Sequence, residues 1–494
     1  MIVSIQLIIL IGYVAALLAI SWWSTRLIKS GEGRDGTLGY LLAGRNMPAP
    51  LIVVMLTGLA VGGASTVGVA ERAYTQGLSA GWYNAAWGLG GIIVGLTVAR
   101  HFRRMGAKTI PEMMGTMFGP RTRFLSVITQ LLVMISITSL QYVAGGSILT
   151  ALLPEVFSFT GGMLASAVIF ILITVIGGYW ASGLTNIINV VAIYVGIIVA
   201  LYQTLSRAGG AAAVTASLPV GGPWTDLISG LGLATVAAFV VVMCTMAVST
   251  QAVAQISFAA KSARTARRGL IIGGILILPA GFLCAWFGII AAAEYPGLEN
   301  PALALPMLVS NLTPLVGGVF LAALWAADVS TAVGLLMGCS TLVLEDVVKK
   351  VTGPMSARRE MIVSRLVVLL VSLLSFALAL TVVGILKTIT TALAVTTSFT
   401  LLIVAGIYFP KLCRRAAGFW IVLASLILWV IWTFIPAWRV GPELIYLEWA
   451  VCGTIFLVSA LVLKEPAGSL AVREEATEPE IQALPRIELK GAEA

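Results

Sequence analysis

Apolar stretches of about 20 or more residues recur along almost the whole sequence, and about 20 is the length a helix needs to cross the hydrocarbon core of a bilayer. None alternates with the two-residue period of a barrel strand, so the backbone polar groups must be satisfied inside helices. Thirteen candidate spans follow, at residues 4–25, 47–75, 79–99, 124–153, 160–177, 183–205, 227–257, 269–293, 315–344, 362–383, 386–410, 417–437 and 444–463. Hydrophobic residues make up 59% of the chain and charged residues only 10%, a balance that a water-soluble surface does not tolerate. The expected fold class is all-α integral membrane, with about 13 transmembrane helices in a lipid bilayer.

The formal net charge of +9 does not point to nucleic acid, because the basic residues sit in short loops at alternate span ends. With the N-terminus outside, 26 of the 30 Lys and Arg residues fall on the cytoplasmic side, Arg100, Arg103, Arg104, Lys261, Arg264, Arg267 and Arg268 among them. Arg72, Arg207, Lys387 and Arg439 lie outside or within a span. Positive loops stay in the cytoplasm, so the expectation is a multi-pass protein of the cell (plasma or inner) membrane, N-terminus outside and C-terminus cytoplasmic. The first span lacks a basic start and ends in Arg26 and Lys29, which reads as a mature helix and not as a signal peptide. Cys244, Cys284, Cys339, Cys413 and Cys452 are scattered, mostly within spans, and read as packing residues. Residues 465–494 are rich in Glu and Pro and read as a disordered cytoplasmic tail.

Polar groups in the middle of such spans are costly and mark function. Ala327-Asp328-Val329-Ser330-Thr331 lies inside the ninth span, where two adjacent hydroxyls and a nearby carbonyl offer hard, uncharged oxygens to a small cation such as Na+. The second span carries Gly58-Leu59-Ala60-Val61-Gly62-Gly63-Ala64-Ser65-Thr66, small and flexible residues that let a helix open. Close helix packing through small residues is the ordinary alternative. A second polar segment, Met243 to Gln251, interrupts the seventh span. Interrupted helices five spans apart, running in opposite directions, are the layout of an inverted repeat with ion and substrate near the midplane.

Ala43-Gly44-Arg45-Asn46-Met47-Pro48, Gly77-Leu78-Ser79-Ala80-Gly81-Trp82 and Thr109-Ile110-Pro111-Glu112 resemble the sodium:solute symporter family. In order there follow Gly177-Gly178 with Thr185, Gln255 before Ala259-Ala260-Lys261-Ser262, Ala304-Leu305-Pro306, and Ala327 to Thr331 with Asp346. The resemblance implies a leucine-transporter-like fold with a 5+5 inverted repeat. Its repeats would be residues 43–206 and 226–411, with an extra N-terminal helix in 1–30 and two extra C-terminal helices in 416–464. It also implies a Na+ site built from Gly58, Val61, Ala327, Ser330 and Thr331.

Departures from the family pattern narrow the expectation. Members with a second Na+ tend to use an aspartate and further hydroxyls where this chain has Asn186, Val333 and Gly334, a poor cation cage, so one Na+ per cycle is expected. Sugar-carrying relatives place a carboxylate, a serine, an asparagine and a tyrosine where Asn84, Trp87, Met243 and Met246 stand, which argues against a hexose. The expected substrate-site residues are Ser65, Asn84, Trp87, Gln141, Thr245, Met246 and Asp328, with Tyr142 beside them. Such a pocket suits a small zwitterion, carboxylate or quaternary amine.

Asp328 has two readings. In one it is a counter-ion for a cationic substrate or a proton-linked partner of the Na+ site; in the other it pairs with a polar neighbour on another helix. Glu71, Arg72 and Lys387 read as interface residues or an outer gate. His101 is the only histidine, no P-loop pattern occurs, and the spans offer no acid, base or metal-ligand cluster, so the chain is not read as an enzyme. The expected function is Na+-coupled import of a small organic solute by alternating access. Proton coupling through Asp328, or a channel or sensor on the same fold, are the alternatives.

Overall fold

The computed structural model describes residues 5–29, 36–381, 385–441 and 443–468. In chain order its main helices are α1 (Ile5–Lys29), α2 (Ala49–Ala60), α3 (Gly63–Gln76), α4 (Trp82–Thr97), α5 (Ile110–Phe118), α6 (Pro120–Leu152) and α7 (Phe159–Arg207). There follow α8 (Leu233–Ser249), α9 (Gln251–Ala259), α10 (Ala263–Ile277), α11 (Ala280–Glu294), α12 (Pro314–Leu342), α13 (Ala357–Ala379), α14 (Ile385–Ala394), α15 (Thr397–Tyr408), α16 (Arg415–Phe434) and α17 (Leu444–Val462). No strand occurs among the described residues.

Eight helical stretches are long and apolar enough to cross a membrane, or up to eleven if each bent pair counts as one span. The thirteen expected spans further require turns at Gly77 and Gly178. Both glycines have the left-handed backbone such a turn uses, φ +65° and +57°. A continuous α7 of 49 residues would run roughly 73 Å, more than twice the roughly 30 Å apolar core. At Gly178 a Cβ would lie 2.5 Å from the Tyr40 ring, so only glycine fits the corner.

Three spans are bent by 40° or more. α2 meets the helical stretch beginning at Gly63 at 40°, α8 meets α9 at 48°, and α14 meets α15 at 43°. At the first bend Val61 (φ −113°, ψ 54°) and Gly62 (φ −92°, ψ 178°) leave the helix. At the second, Thr250 is extended (φ −81°, ψ 138°). The third was not anticipated within 386–410. There Thr396, Thr397 and Ser398 each turn a hydroxyl onto the carbonyl three residues back, at 2.7, 2.8 and 3.0 Å, competing with the helical ladder.

α12 is the most enclosed span, with 89% of its apolar window buried against 22% for α1, so its polar residues need partners inside the protein. It packs against α7 and α6, while α4 packs against α8 and α10. α16 and α17 pair with each other, and α17 also packs on α15. Ser425 of α16 joins this pair to the third bend: its Oγ lies 3.0 Å from the Val395 carbonyl and 2.6 Å from Oε2 of the buried Glu448.

The Thr-Ile-Pro-Glu motif is a helix cap. Thr109 accepts the Glu112 N–H at 3.0 Å, and the Glu112 carboxylate accepts the Lys108 N–H at 2.7 Å, nearly the reciprocal capping box. Thr109 also donates to Asp346 at 2.6 Å, and Arg123 Nε donates to the same carboxylate at 2.7 Å. Of the tail expected to be disordered, 465–468 are ordered: Arg415 N–H donates to the Glu465 carbonyl, and the N–H groups of Ala467 and Gly468 donate to Cys413 and Met117. Backbone pairing holds this stretch despite its composition. Residues 469–494 lie outside the described residues.

Candidate functional site

The first bend faces the middle of α12. Thr331 Oγ1 lies 2.9 Å from the Gly58 carbonyl and 3.0 Å from the Ala327 carbonyl, and Ser330 Oγ lies 2.8 Å from that same Ala327 oxygen. Gly58, Ala327, Ser330 and Thr331 therefore meet in one cluster, and Val61 is the residue at which α2 ends. Every oxygen is neutral, and the hydroxyl protons that now point at carbonyls can rotate away and leave lone pairs for a cation. Asn186, treated in the sequence only as a missing aspartate, adds another oxygen: Ser330 Oγ donates to its Oδ1 at 2.8 Å. It also fixes the glycine, since a Cβ at Gly58 would lie 2.1 Å from Asn186 Oδ1.

Beside the cluster lies a small cavity of about 50 Å³. Of the expected residues, Ser65, Trp87, Gln141 and Met246 line it. Thr331 lines it as well, so one side chain belongs to both the oxygen cluster and the cavity. A second cavity, lined by Ser182, Asn186, Ser330 and Gly334, shares Leu59, Ala252 and Thr331 with the first as a dividing wall.

Asn84, Thr245, Tyr142 and Asp328 do not line the first cavity. Asn84 lies behind the bend, where its Nδ2 donates at 2.9 Å to the Ala60 carbonyl that the bend releases. Thr245 is one residue from Met246, hence about 100° around the helix. Its Oγ1 accepts the Trp449 indole N–H at 3.1 Å. Tyr142 bonds Ser372 at 2.6 Å and stacks on Phe170. The walls that the sequence did not single out include Tyr83, Met134, Ile137, Ile389 and Leu393, which in so apolar a chain look like any core residue.

Asp328 is fully buried on α12. Its Oδ1 accepts the Ala64 N–H at 3.0 Å, in the first turn of α3, and the backbone of Gly145 also lies beside the carboxyl group. The polar neighbour it meets is thus a helix terminus and not a side chain.

Two amides hold the stretch after the second bend. Gln251 Oε1 accepts the Ile110 N–H at 2.9 Å, and Gln130 bridges the Ser249 carbonyl and the Gln251 N–H at 2.7 and 3.1 Å. At the opposite end of the bundle Glu71 accepts the Ile385 N–H at 3.3 Å, joining α3 to α14. Glu443 lies close enough to Arg72 and Lys387 for their charges to pull its carboxyl down, although burial outweighs them and leaves it above its ordinary value.

The model of the sodium:solute symporter family matches residues 40–424. An uncharacterized symporter of Escherichia coli (strain K12) is 26% identical over 365 residues, covering 69% of this chain and 62% of that protein. Sodium/glucose cotransporter 4 of Danio rerio is 27% identical over 421 residues, covering 74% of this chain and 61% of that protein. The chain thus matches about three fifths of the length of these two relatives. The solved structure of a Na+-coupled sialic acid symporter in a substrate-bound outward-open state superposes with a TM-score of 0.74 at 19% identity, covering 94% of this chain and 98% of that one. The fold is leucine-transporter-like.

Proposed function

Because the chain belongs to the sodium:solute symporter family, we propose that it is a Na+-coupled secondary active symporter that imports a small organic solute by alternating access. The observation that carries this reading is Thr331, whose hydroxyl sits in the oxygen cluster while its side chain lines the adjoining cavity. An ion held by Gly58, Val61, Ala327, Ser330 and Thr331 ties the bend between α2 and α3 to α12. That same bend supplies Gly62, Ala64 and Ser65 to the cavity wall. Ion binding thereby shapes the solute site, which is the differential contact that coupling requires.

In this reading the two repeats, 43–206 and 226–411, rock about the site, with the N-terminus outside the cell membrane and the C-terminus within. One Na+ moves per cycle: Asn186 is uncharged, and Val333 and Gly334 bring no hydroxyl for a second cage. The membrane potential contributes about 2.3 kcal/mol per charge per 100 mV, enough to concentrate a neutral solute roughly fiftyfold before the Na+ gradient adds its share. The solute is an amino acid, carboxylate or ammonium-type compound; the cavity wall is largely apolar, its polar groups being those of Ser65, Tyr83, Trp87, Gln141, Thr250 and Thr331, and it has none of the carboxylate and asparagine groups of the sugar-carrying pattern.

Thermal stabilisation of the purified chain against a solute panel, with Na+ and with choline-free K+ in its place, tests the reading. A solute that stabilises only with Na+, and that enters proteoliposomes down an imposed Na+ gradient, is the expected result. Uptake that follows a proton gradient and ignores Na+ would replace this reading with proton coupling.

A further inference from the structure

α6 begins at Pro120 and α16 at Arg415, and the two helices pack against each other. They enter the apolar layer side by side at the basic end of the bundle, where Arg123 meets Asp346 and Lys108 meets Glu345. A Cβ at Gly418 would run into the Phe118 ring, so α16 leans on the last turn of α5. Between α16 and the first turns of α6 lies a groove of about 470 Å³, lined by Pro120, Arg121, Phe124 and Leu125 on one side and by Phe419 and Leu423 on the other.

Each side of the groove has a basic residue at its mouth and apolar residues farther in. On α6, Phe124 and Leu125 lie three and four positions after Arg121; on α16, Phe419 and Leu423 lie four and eight positions after Arg415, so each set shares one helix face. The Arg415 guanidinium reaches back towards Arg121, since a Cβ at Gly119 would lie 3.5 Å from its Nε. Glu465 pairs with Arg415 at 3.3 Å, whereas Arg121 is exposed and has no partner of either kind, carboxylate or hydrogen-bonding, among the described residues. Phe124 is 66% exposed, so the described part of the protein leaves the groove open to the bilayer.

A guanidinium at the boundary of the apolar layer, above a groove lined by aromatic and aliphatic side chains, matches the two ends of a phospholipid. The planar N–H fork suits a phosphate, and the groove suits an acyl chain. A zwitterionic headgroup brings its own cation to Arg121 and offsets the attraction; an anionic headgroup does not. A soluble anion would leave the groove unfilled. We propose that the groove between α6 and α16 binds an anionic glycerophospholipid, its phosphate on Arg121 with Arg415 beside it and an acyl chain on Phe124, Leu125, Phe419 and Leu423. The site shares no residue with the central cavity, and it depends on the chain spanning a membrane, not on which ion or solute is carried. Bound lipid braces the start of α6, the helix that carries Met134 and Gln141 to the cavity.

Dioleoyl phosphatidylglycerol and dioleoyl phosphatidylcholine share their chains and differ in headgroup charge, and glycerol 3-phosphate supplies the soluble anion alone. Affinity of the tightest-held lipid is read by native mass spectrometry of the full-length purified chain, with thermal stabilisation as a second measure. Phosphatidylglycerol is expected to bind about fivefold more tightly than phosphatidylcholine, or better. Arg121→Gln should bring the two lipids within about twofold of each other, while Arg264→Gln, at an exposed basic position on α10, should leave the preference unchanged. Leu423→Trp fills the groove and should weaken both lipids. Equal binding of the two lipids overturns the proposal, as does a preference that survives Arg121→Gln or falls as far in Arg264→Gln. Stabilisation by glycerol 3-phosphate equal to that by phosphatidylglycerol would overturn it in favour of a plain anion site. A dimer that Leu423→Trp splits, with no lipid preference, would overturn it in favour of an interface between copies. If Leu423→Trp does not fold, the exposed Arg121 and Arg264 variants decide alone.

Discussion

Thr331 and Gly58 stand 273 positions apart in the chain, and the hydroxyl of one lies 2.9 Å from the carbonyl of the other. The carbonyl is available because α2 ends three residues later at Val61. The hydroxyl is aimed at it because α12 is so enclosed that its polar groups must find partners within the bundle.

Replacing Thr331 with Val keeps the shape and removes that hydroxyl. One lost polar contact at a buried site costs on the order of 1 to 3 kcal/mol, so the Na+ concentration giving half-maximal stabilisation by solute should rise by about tenfold or more. A Na+ titration of melting temperature at fixed solute measures it, and an unchanged midpoint would remove Thr331 from the ion site.

Gly58→Ala and Gly12→Ala make a controlled comparison. At Gly58 the new methyl would lie 2.1 Å from Asn186 Oδ1, whereas at Gly12 nothing lies within 4 Å. Overpacking at the first should cost about 1 to 3 kcal/mol and abolish the Na+ response. The second should stabilise its helix slightly, by roughly 0.5 to 1 kcal/mol. Thermal melts of both variants, with and without Na+, distinguish them.

Trp87 lines the cavity and Thr245 does not. Trp87→Ala should therefore weaken solute binding by about tenfold or more, as loss of an aromatic contact of about 1.5 kcal/mol or above would. Thr245→Val should leave affinity within about twofold and lower only stability, by releasing the Trp449 indole. Equal effects of the two on affinity would mean that the cavity is not the solute site.

Coupling is expected to be one Na+ per solute. Reversal potentials in proteoliposomes, measured at several Na+ ratios, report the value directly. A clear result of two would place a second ion in the neighbourhood of Asn186, Ser182 and Gly334.

The Asp346 side chain is fully buried and held by Thr109 and Arg123. Arg123→Gln leaves that carboxylate without its counter-charge, for which about 3 to 5 kcal/mol is typical. Arg123→Gln with Asp346→Asn should lose much less than the sum of the single variants. A double-mutant cycle on unfolding temperature measures the coupling, and simple additivity would contradict it.

Much of the site was legible because polarity is rare in this chain. Ser330 and Thr331 stood out in an apolar span, and the small residues from Gly58 to Ser65 marked the bend. The Thr109 to Glu112 motif proved to be a cap. Three kinds of information were missing. A residue list does not say which face of a helix turns inward, which is why Met246 reached the cavity and Thr245 a different face. Apolar walls such as Ile389 and Leu393 carry no signal in a sequence that is 59% hydrophobic. The third bend lacks glycine altogether; its signal was the hydroxyl run Thr396-Thr397-Ser398, which a search for flexible residues passes over.

That run has a mechanical meaning. A change of angle at a break in a membrane helix frees carbonyls, which must find another donor inside the protein or from water. Between α14 and α15 the carbonyls of Leu393, Ala394 and Val395 are served by side-chain hydroxyls, which re-aim by turning about a single bond. The Ser425 hydroxyl of α16 is a further donor to the Val395 carbonyl. The joint keeps its carbonyls satisfied from within the protein, so bending there does not require water to enter a dry interior.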